Sequence, residues 1–75
     1  MNDYKAQLLF ERGIQKSMDE AYAEAIELLS EAIALDNTKG TYYLNRGIAY
    51  DELKQTAKAK ADYERLPPVS TALSD

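Results

Sequence analysis

Hydrophobic residues recur every three or four positions along most of the chain, which is the spacing of one face of an α-helix. Near the amino terminus, Phe10, Ile14 and Met18 are spaced by four and predict a first helix from about Asp3 to Ser17. No stretch alternates as a half-buried strand would, so the pattern predicts an all-α fold. The clearest stripe belongs to a second helix, with acidic residues on its other side, and comprises Tyr22, Ala25, Ile26, Leu29, Ala32 and Ile33.

Two stretches predict the limits of this second helix. Ser17 and Glu20 fit a capping box, although the repeat register described below starts the helix nearer Ala21. The stretch 37–40, Asn-Thr-Lys-Gly, combines residues that favour nonhelical backbone and therefore predicts a turn.

Two further helices are predicted after this turn. The third ends near Leu53 or Lys54, and the fourth runs from about Thr56 to Leu66. The prolines at 67–68 are expected to stop the fourth helix, because proline lacks the amide hydrogen and clashes with the preceding turn.

The tripeptide Arg-Gly-Ile occurs twice, with its glycines, Gly13 and Gly47, 34 positions apart in helical sequence. Glycine costs about 1 kcal/mol relative to alanine inside a helix, so matched mid-helix glycines predict close packing against a partner helix. Each glycine precedes an alanine, Ala25 or Ala59, by the same interval, and we expect these small residues to meet. The 34-residue offset that separates the two glycines also relates Leu9 to Tyr43 and Leu29 to Tyr63.

Composition limits what such a helical chain can do. With 75 residues, 45% of them hydrophobic, it forms one small domain with a thin core. It contains no cysteine and no histidine, which excludes disulfides, the usual zinc sites, and Cys-His or Ser-His-Asp catalysis.

Charge and hydropathy narrow the class of partner. The net charge of −4 disfavours nucleic-acid binding, and no Lys or Arg occurs between Asp19 and Asp36. The first twelve residues contain only the short apolar run Leu8–Phe10, far below the length of a signal peptide or a membrane span. We therefore predict a cytoplasmic protein without a membrane partner.

With its 34-residue period, the chain resembles the tetratricopeptide repeat (TPR) family. Each repeat of that family is a helix-turn-helix unit with a large residue, a glycine, a tyrosine and alanines at set spacings. The resemblance implies two stacked antiparallel helix-turn-helix pairs, a fragment of a right-handed α-solenoid. The residues that match its packing positions are Leu9, Gly13, Tyr22, Ala25, Leu29 and Ala32 in the first repeat and Tyr43, Gly47, Tyr50, Ala59 and Tyr63 in the second.

The resemblance also sets the expected domain limits. Residues 1–66 form a single TPR-like domain, with one repeat at about 6–39 and a clipped second at about 40–66, and residues 67–75 form a flexible tail. Asn37 stands where the family favours proline, and Lys16 stands where it favours a large apolar residue.

The function implied by the resemblance is that of a protein interaction module, an adaptor or scaffold whose partner is another protein or peptide. First helices of stacked pairs line a concave groove, where a peptide or a partner helix binds. The expected groove residues are Gln7, Phe10, Ile14, Ser17, Thr41, Leu44, Asn45, Ile48 and Asp51. The apolar members have an alternative role in simple core packing, since so thin a domain needs each of them.

One TPR subfamily grips a terminal carboxylate of its peptide with lysines and asparagines. Asn45 matches one of those asparagines, but Phe10 and Ile14 stand at the positions of the first-repeat Lys and Asn. Apolar side chains cannot replace charge-assisted hydrogen bonds to a carboxylate. We therefore expect an apolar or amphipathic ligand, and we assign Asn45 to helix stacking or to a backbone hydrogen bond.

An enzymatic function would have to use carboxylates, and Glu24, Glu27 and Glu31 do share one helix face. An exposed stripe offers neither concavity nor burial to perturb a pKa, so a solvated face is the better interpretation. We predict no enzyme, no catalytic residue, no metal and no cofactor.

Self-assembly is the main alternative function. Two repeats are fewer than such a stack normally needs, and no helix covers the second pair, so parts of Tyr50, Leu53, Tyr63 and Leu66 should be open. A homodimer through this carboxy-terminal end is expected, in preference to exchange of repeats allowed by Asn37. A further alternative is a fragment of a longer TPR scaffold.

Overall fold

A computed structural model describes residues 2–66, and within them the backbone forms four α-helices and no strand. The helices are α1 (Asn2–Met18), α2 (Tyr22–Leu35), α3 (Gly40–Glu52) and α4 (Thr56–Tyr63). The predicted all-α class and the predicted order of helices are confirmed. The prediction for residues 67–75 lies outside the described residues.

The helices pack as two consecutive pairs, α1 on α2 and α3 on α4, and the pairs meet through α2 and α3. In the first pair, Ala6 packs with Ala32, whereas Gly13 lies beside Ala25. Moving forward along α1 therefore means moving backward along α2, as in an antiparallel hairpin. The predicted stack of helix-turn-helix pairs is confirmed.

Each mid-helix glycine lies where any larger side chain would clash with the partner helix of its pair. A Cβ added to Gly13 would lie 2.9 Å from Cγ of Leu29 and 3.5 Å from the Ala25 carbonyl oxygen. A Cβ on Gly47 would lie 2.7 Å from Cε1 of Tyr63. Both glycines are buried, as predicted, and in each pair the nearest atoms belong to the large side chain 16 positions later.

The turns within the two pairs repeat the same backbone geometry. Glu20 and Lys54, again 34 positions apart, have φ values of 64° and 65°. The amides of Ala21 and Gln55 bond to the carbonyls five residues earlier, and those of Glu20 and Lys54 bond three residues back. These bonds form a Schellman motif at the end of α1 and of α3.

The capping box predicted from Ser17 and Glu20 is wrong. Helix α2 begins after Ala21, which makes no side-chain capping hydrogen bond. Glu20 is not in a helical first turn, because its backbone adopts the left-handed conformation that closes α1.

The predicted end of α4 at Leu66 is also wrong, since the helix ends at Tyr63. The amides of Arg65 and Leu66 bond to carbonyls three residues earlier, those of Asp62 and Tyr63. The chain therefore keeps turning in a tighter form up to the residue before Pro67.

The turn predicted around Asn37 is present between α2 and α3, with Gly40 already the first residue of α3. Asp36 holds it, because its Oδ1 accepts hydrogen bonds from both the amide and the hydroxyl of Thr38. These bonds hold the pKa of the Asp36 carboxyl below its usual value.

Among the described residues, no helix has the length and apolar character needed to cross a membrane.

Candidate functional site

A hollow of about 240 Å³ opens between α1 and α3, at the end where α1 turns into α2. Two first helices and the start of α2 supply its walls. It is lined by Ile14, Ser17, Met18, Tyr22, Asn45, Ile48 and Glu52.

Helical spacing explains why these side chains share one surface. Ile14 and Met18 are four apart on α1, and Ile48 and Glu52 are four apart on α3, so each pair lies along one helix face. Met18 is 71% exposed and Ile48 is 45% exposed. The floor is therefore apolar surface that the described residues leave open to water.

The structure brings four of the nine expected groove residues into this hollow: Ile14, Ser17, Asn45 and Ile48. The others lie elsewhere on α1 and α3, and of these Leu44 is 38% exposed. The polar members outside the hollow, all exposed, are Gln7, Thr41 and Asp51.

Phe10 is the groove residue most involved in packing. Its ring stacks on that of Tyr42 with centroids 4.8 Å apart, and it packs against the buried cluster of Ala6, Ala32 and Tyr42. The alternative of core packing therefore describes Phe10 well, whereas Leu44 and Ile48 remain exposed.

Three residues of the hollow were not among the expected groove residues: Met18, Tyr22 and Glu52. Met18 continues the four-residue spacing of Phe10 and Ile14, and that spacing was the available signal. Tyr22 was assigned to repeat packing, and Glu52 carries no pattern of its own in the sequence.

The rim of the hollow is acidic. Burial raises the pKa of the Tyr22 hydroxyl, and the nearby carboxylates of Glu52 and Glu20 raise it further. The Tyr22 end of the hollow therefore combines partial burial with two neighbouring carboxylates, and both disfavour the tyrosinate.

Asn45 already uses its side-chain amide inside the chain. Its Nδ2 donates a hydrogen bond of 2.8 Å to the backbone carbonyl of Thr41, one helical turn earlier. This is the backbone hydrogen bond considered from the sequence, and it uses one of the two Nδ2 hydrogens of Asn45.

The residues expected to pack the repeats are all buried or half-buried. Buried among them are Gly13, Ala25, Leu29, Ala32, Tyr43, Gly47 and Ala59, and half-buried are Leu9, Tyr22, Tyr50 and Tyr63.

Arg46 joins three helices beside this packing. It donates to both carboxylate oxygens of Asp62 on α4 and, through Nη1, to Oγ of Ser30 on α2 at 3.0 Å. Its guanidinium also lies 5.8 Å from the ring centroids of Tyr43 and Tyr50. The bond to Ser30 joins the second pair to the first, whereas the bonds to Asp62 lie within the second pair.

The carboxylates considered for catalysis lie on the exposed face of α2, away from the hollow. Glu24 forms a long ion pair of 3.7 Å with Lys16, and both side chains are well exposed. Residues 2–66 contain no group of three or more acidic side chains that could hold a metal ion.

Comparison with known proteins finds short similarities to two longer proteins. Over 57 residues the chain is 40% identical to outer envelope protein 64, chloroplastic, of Arabidopsis thaliana, covering 76% of this chain and 10% of that protein. Over 58 residues it is 33% identical to the TPR repeat-containing protein YsoA of Bacillus subtilis (strain 168), covering 77% of this chain and 17% of that protein.

The chain thus spans about a tenth and about a sixth of the lengths of these relatives. No family model matches the chain. No solved structure matches it either. The name of the bacterial relative agrees with the resemblance found in the sequence, and it supports a TPR-like helical repeat.

Proposed function

We propose that this chain is a non-enzymatic, TPR-like interaction module that binds an amphipathic segment of another protein in the hollow between α1 and α3. Residues 6–39 and 40–66 serve as its two repeats within one domain. The observation that carries the proposal is the hollow itself, which combines exposed apolar side chains with an acidic rim.

The apolar floor gives the driving force for binding. Ile14, Met18 and Ile48 come from two helices and face one volume large enough for one or two apolar side chains of a ligand. Removing such surface from water contributes about 25 cal/mol per Å². Met18 also adapts to different ligand shapes, because its unbranched side chain has several accessible rotamers.

The rim sets the preferred charge of the ligand. Glu52 lies in the hollow and Glu20 lies close to its Tyr22 wall, so a ligand with Lys or Arg beside its apolar face is favoured. A terminal carboxylate would meet these charges without a described Lys or Arg in the lining. The same electrostatics make the binding weaker at high salt.

Two matched helical peptides test the proposal. Both carry the same Leu-rich face, and one has Lys and the other Glu on the flanks. We expect the Lys peptide to bind more tightly in a fluorescence anisotropy titration at low salt. Equal binding of both peptides, or tighter salt-sensitive binding of a peptide ending in Glu-Glu-Val-Asp, contradicts the proposal.

Variants in the hollow locate the binding. Ile48→Glu places an unpaired charge on the floor and should weaken binding of the Lys peptide about tenfold or more. Leu53→Glu is the control, because Leu53 is similarly exposed, on the same stretch of chain, and does not line the hollow. Phe10→Glu is a poor probe, since loss of its stacking on Tyr42 would disturb the core. The same Ile48→Glu variant serves as the control in a pull-down from native lysate.

A further inference from the structure

Two side-chain contacts of α3 help to join the second helix pair to the first. On α3, Tyr42 stacks on Phe10 of α1, and Arg46 donates to Ser30 of α2. Tyr42 and Arg46 thus form the docking side of this internal joint, and Phe10 and Ser30 belong to its receiving side.

The 34-residue repeat places equivalents of both sides on the outer surfaces of the molecule. The equivalents of Tyr42 and Arg46 are Leu8 and Arg12 on α1, and both are exposed. The equivalents of Phe10 and Ser30 are Leu44 on α3 and Glu64 after α4, and both are also exposed. One end of the stack therefore carries the docking side, and the other carries the receiving side.

The side chains at these outer positions are chemically complementary. On the docking side, Leu8 is apolar and 44% exposed, and on the receiving side, Leu44 is apolar and 38% exposed. Arg12 would face Glu64, a carboxylate at the position where the internal joint has Ser30, a neutral acceptor for Arg46. The outer pair is thus a charged version of the internal contact.

Arg12 also lacks the internal partner that its equivalent has. Arg46 is neutralised within its own helix pair by Asp62, and the residue 34 positions before Asp62 is Leu28. No ion pair or hydrogen bond joins the Arg12 or Glu64 side chain to another residue of 2–66. Both charges are therefore open to a partner outside the described chain.

We propose that a second copy of this chain docks head to tail, with its α1 set against α3 and α4 of the first copy as α3 is set against α1 and α2. In this joint Leu8 of one copy packs on Leu44 of the other, and Arg12 pairs with Glu64. The joint is heterologous, since it uses different surfaces on the two copies, and it leaves one docking and one receiving side open. It differs from a symmetric dimer through two carboxy-terminal ends, which would not involve Arg12.

Charge exchange tests this joint by sedimentation equilibrium at low salt. Arg12→Glu alone faces Glu64 with a like charge, and Glu64→Arg alone faces Arg12 in the same way, so each variant should self-associate about fivefold or more weakly. The double variant Arg12→Glu/Glu64→Arg should regain association. An equimolar mixture of the two single variants should also associate, because every joint between unlike copies pairs opposite charges.

The wild type should show an average mass that passes two copies as concentration rises, since an open joint does not close on itself. Glu27→Arg makes the same charge change as Glu64→Arg on exposed surface of α2 and should leave association unchanged. Leu8→Asp should abolish association while leaving peptide binding intact, because neither Leu8 nor Arg12 lines the hollow. This separates failure of the joint from failure of the proposed ligand site.

Three results would overturn the head-to-tail joint. A wild type that stays monomeric at millimolar concentration has no such joint. A mass that levels at two copies and is insensitive to Arg12→Glu indicates a symmetric dimer instead. A dimer that disappears with Asn37→Pro, and not with the charge variants, indicates exchange of repeats through a straightened turn.

Discussion

Arg46 grips Asp62 through two parallel hydrogen bonds, with Nε 2.9 Å from Oδ2 and Nη2 2.7 Å from Oδ1. Asp62 is 3% exposed and is the one buried charged residue found within 4–66. We expect Asp62→Ala to lower the free energy of unfolding by about 2–3 kcal/mol, because it leaves a part-buried guanidinium without its carboxylate. Urea denaturation followed by circular dichroism measures the change.

A second variant separates the ion pair from simple packing. Position 28, the equivalent of 62 in the first pair, is leucine, so an apolar residue fits this site in the fold. The double variant Arg46→Met/Asp62→Leu should be more stable than Asp62→Leu alone, since it removes the orphaned charge. The single variant Arg46→Met completes the comparison. If the effects of Arg46→Met and Asp62→Leu simply add in the double variant, the two side chains are not coupled and the interpretation fails.

The mid-helix glycines give a prediction whose sign is decided by packing. Alanine at position 13 would gain about 1 kcal/mol in helix propensity, but its Cβ would lie 2.9 Å from Cγ of the fully buried Leu29. Overpacking in a core costs about 1–3 kcal/mol, and the contact falls on the branch point of a fully buried side chain rather than on a free end. We therefore expect Gly13→Ala to destabilise the protein by about 1 kcal/mol in thermal or urea unfolding.

The Leu29→Ala background provides the control for this glycine. With the leucine truncated, the contact to the new Cβ is gone, and Gly13→Ala should become neutral or stabilising. Stabilisation of the wild type by Gly13→Ala would mean that the helices separate without cost and that the close approach is not a constraint.

Much of this fold could be predicted from the sequence because helix periodicity and the 34-residue offset are properties of single residues and their spacing. The apolar stripe containing Ala25, Leu29 and Ala32 predicted α2, and all three are buried. The repeated glycines predicted close pairing of helices, because glycine is unfavourable inside a helix unless a neighbouring helix packs closely against it.

The site was harder to predict because it depends on pairs of residues from different helices. From the sequence alone, Asp62 is expected on the surface. Its burial is explained only by Arg46, which lies 16 positions earlier and bonds to it in the fold. Phe10 fits a groove or a core by periodicity alone, and only the position of Tyr42 decides in favour of stacking. The left-handed Glu20 also gave no signal, because such helix ends usually carry glycine.

The two left-handed turn residues predict a gain in stability. Glu20 and Lys54 pay a steric cost of about 1 kcal/mol at positive φ that glycine does not have. Glu20→Gly and Lys54→Gly should each raise the free energy of unfolding by up to about 1 kcal/mol, less the greater freedom of glycine in the unfolded chain. Asp19→Gly is the matched control, being next to Glu20 without a positive φ, and should destabilise. Destabilisation by both test variants as large as that of Asp19→Gly would contradict the left-handed conformation at Glu20 and Lys54.

The Tyr63 hydroxyl predicts how stability changes at alkaline pH. Burial first, and then its hydrogen bond of 2.7 Å to Oδ2 of Asp51, raise the pKa of Tyr63 from 10.0 to about 12. A group whose pKa is raised on folding contributes stability that is fully present below its unfolded pKa, near 10, and is lost as the pH rises toward 12. The pKa of Tyr22 is also raised and acts in the same direction.

Tyr63→Phe isolates this contribution, because phenylalanine keeps the ring over Gly47 but has no proton to lose. We expect the stability difference between wild type and Tyr63→Phe to shrink, and then reverse in favour of the variant, as the pH rises from about 10 to about 12. Urea unfolding at a series of pH values measures it, and tyrosinate absorbance follows the titration directly. Asp51→Ala should move the pKa of Tyr63 back toward 10 without restoring it fully, since burial is the larger cause. A pKa near 10 for Tyr63 in the folded wild type would contradict both the hydrogen bond and its effect on stability.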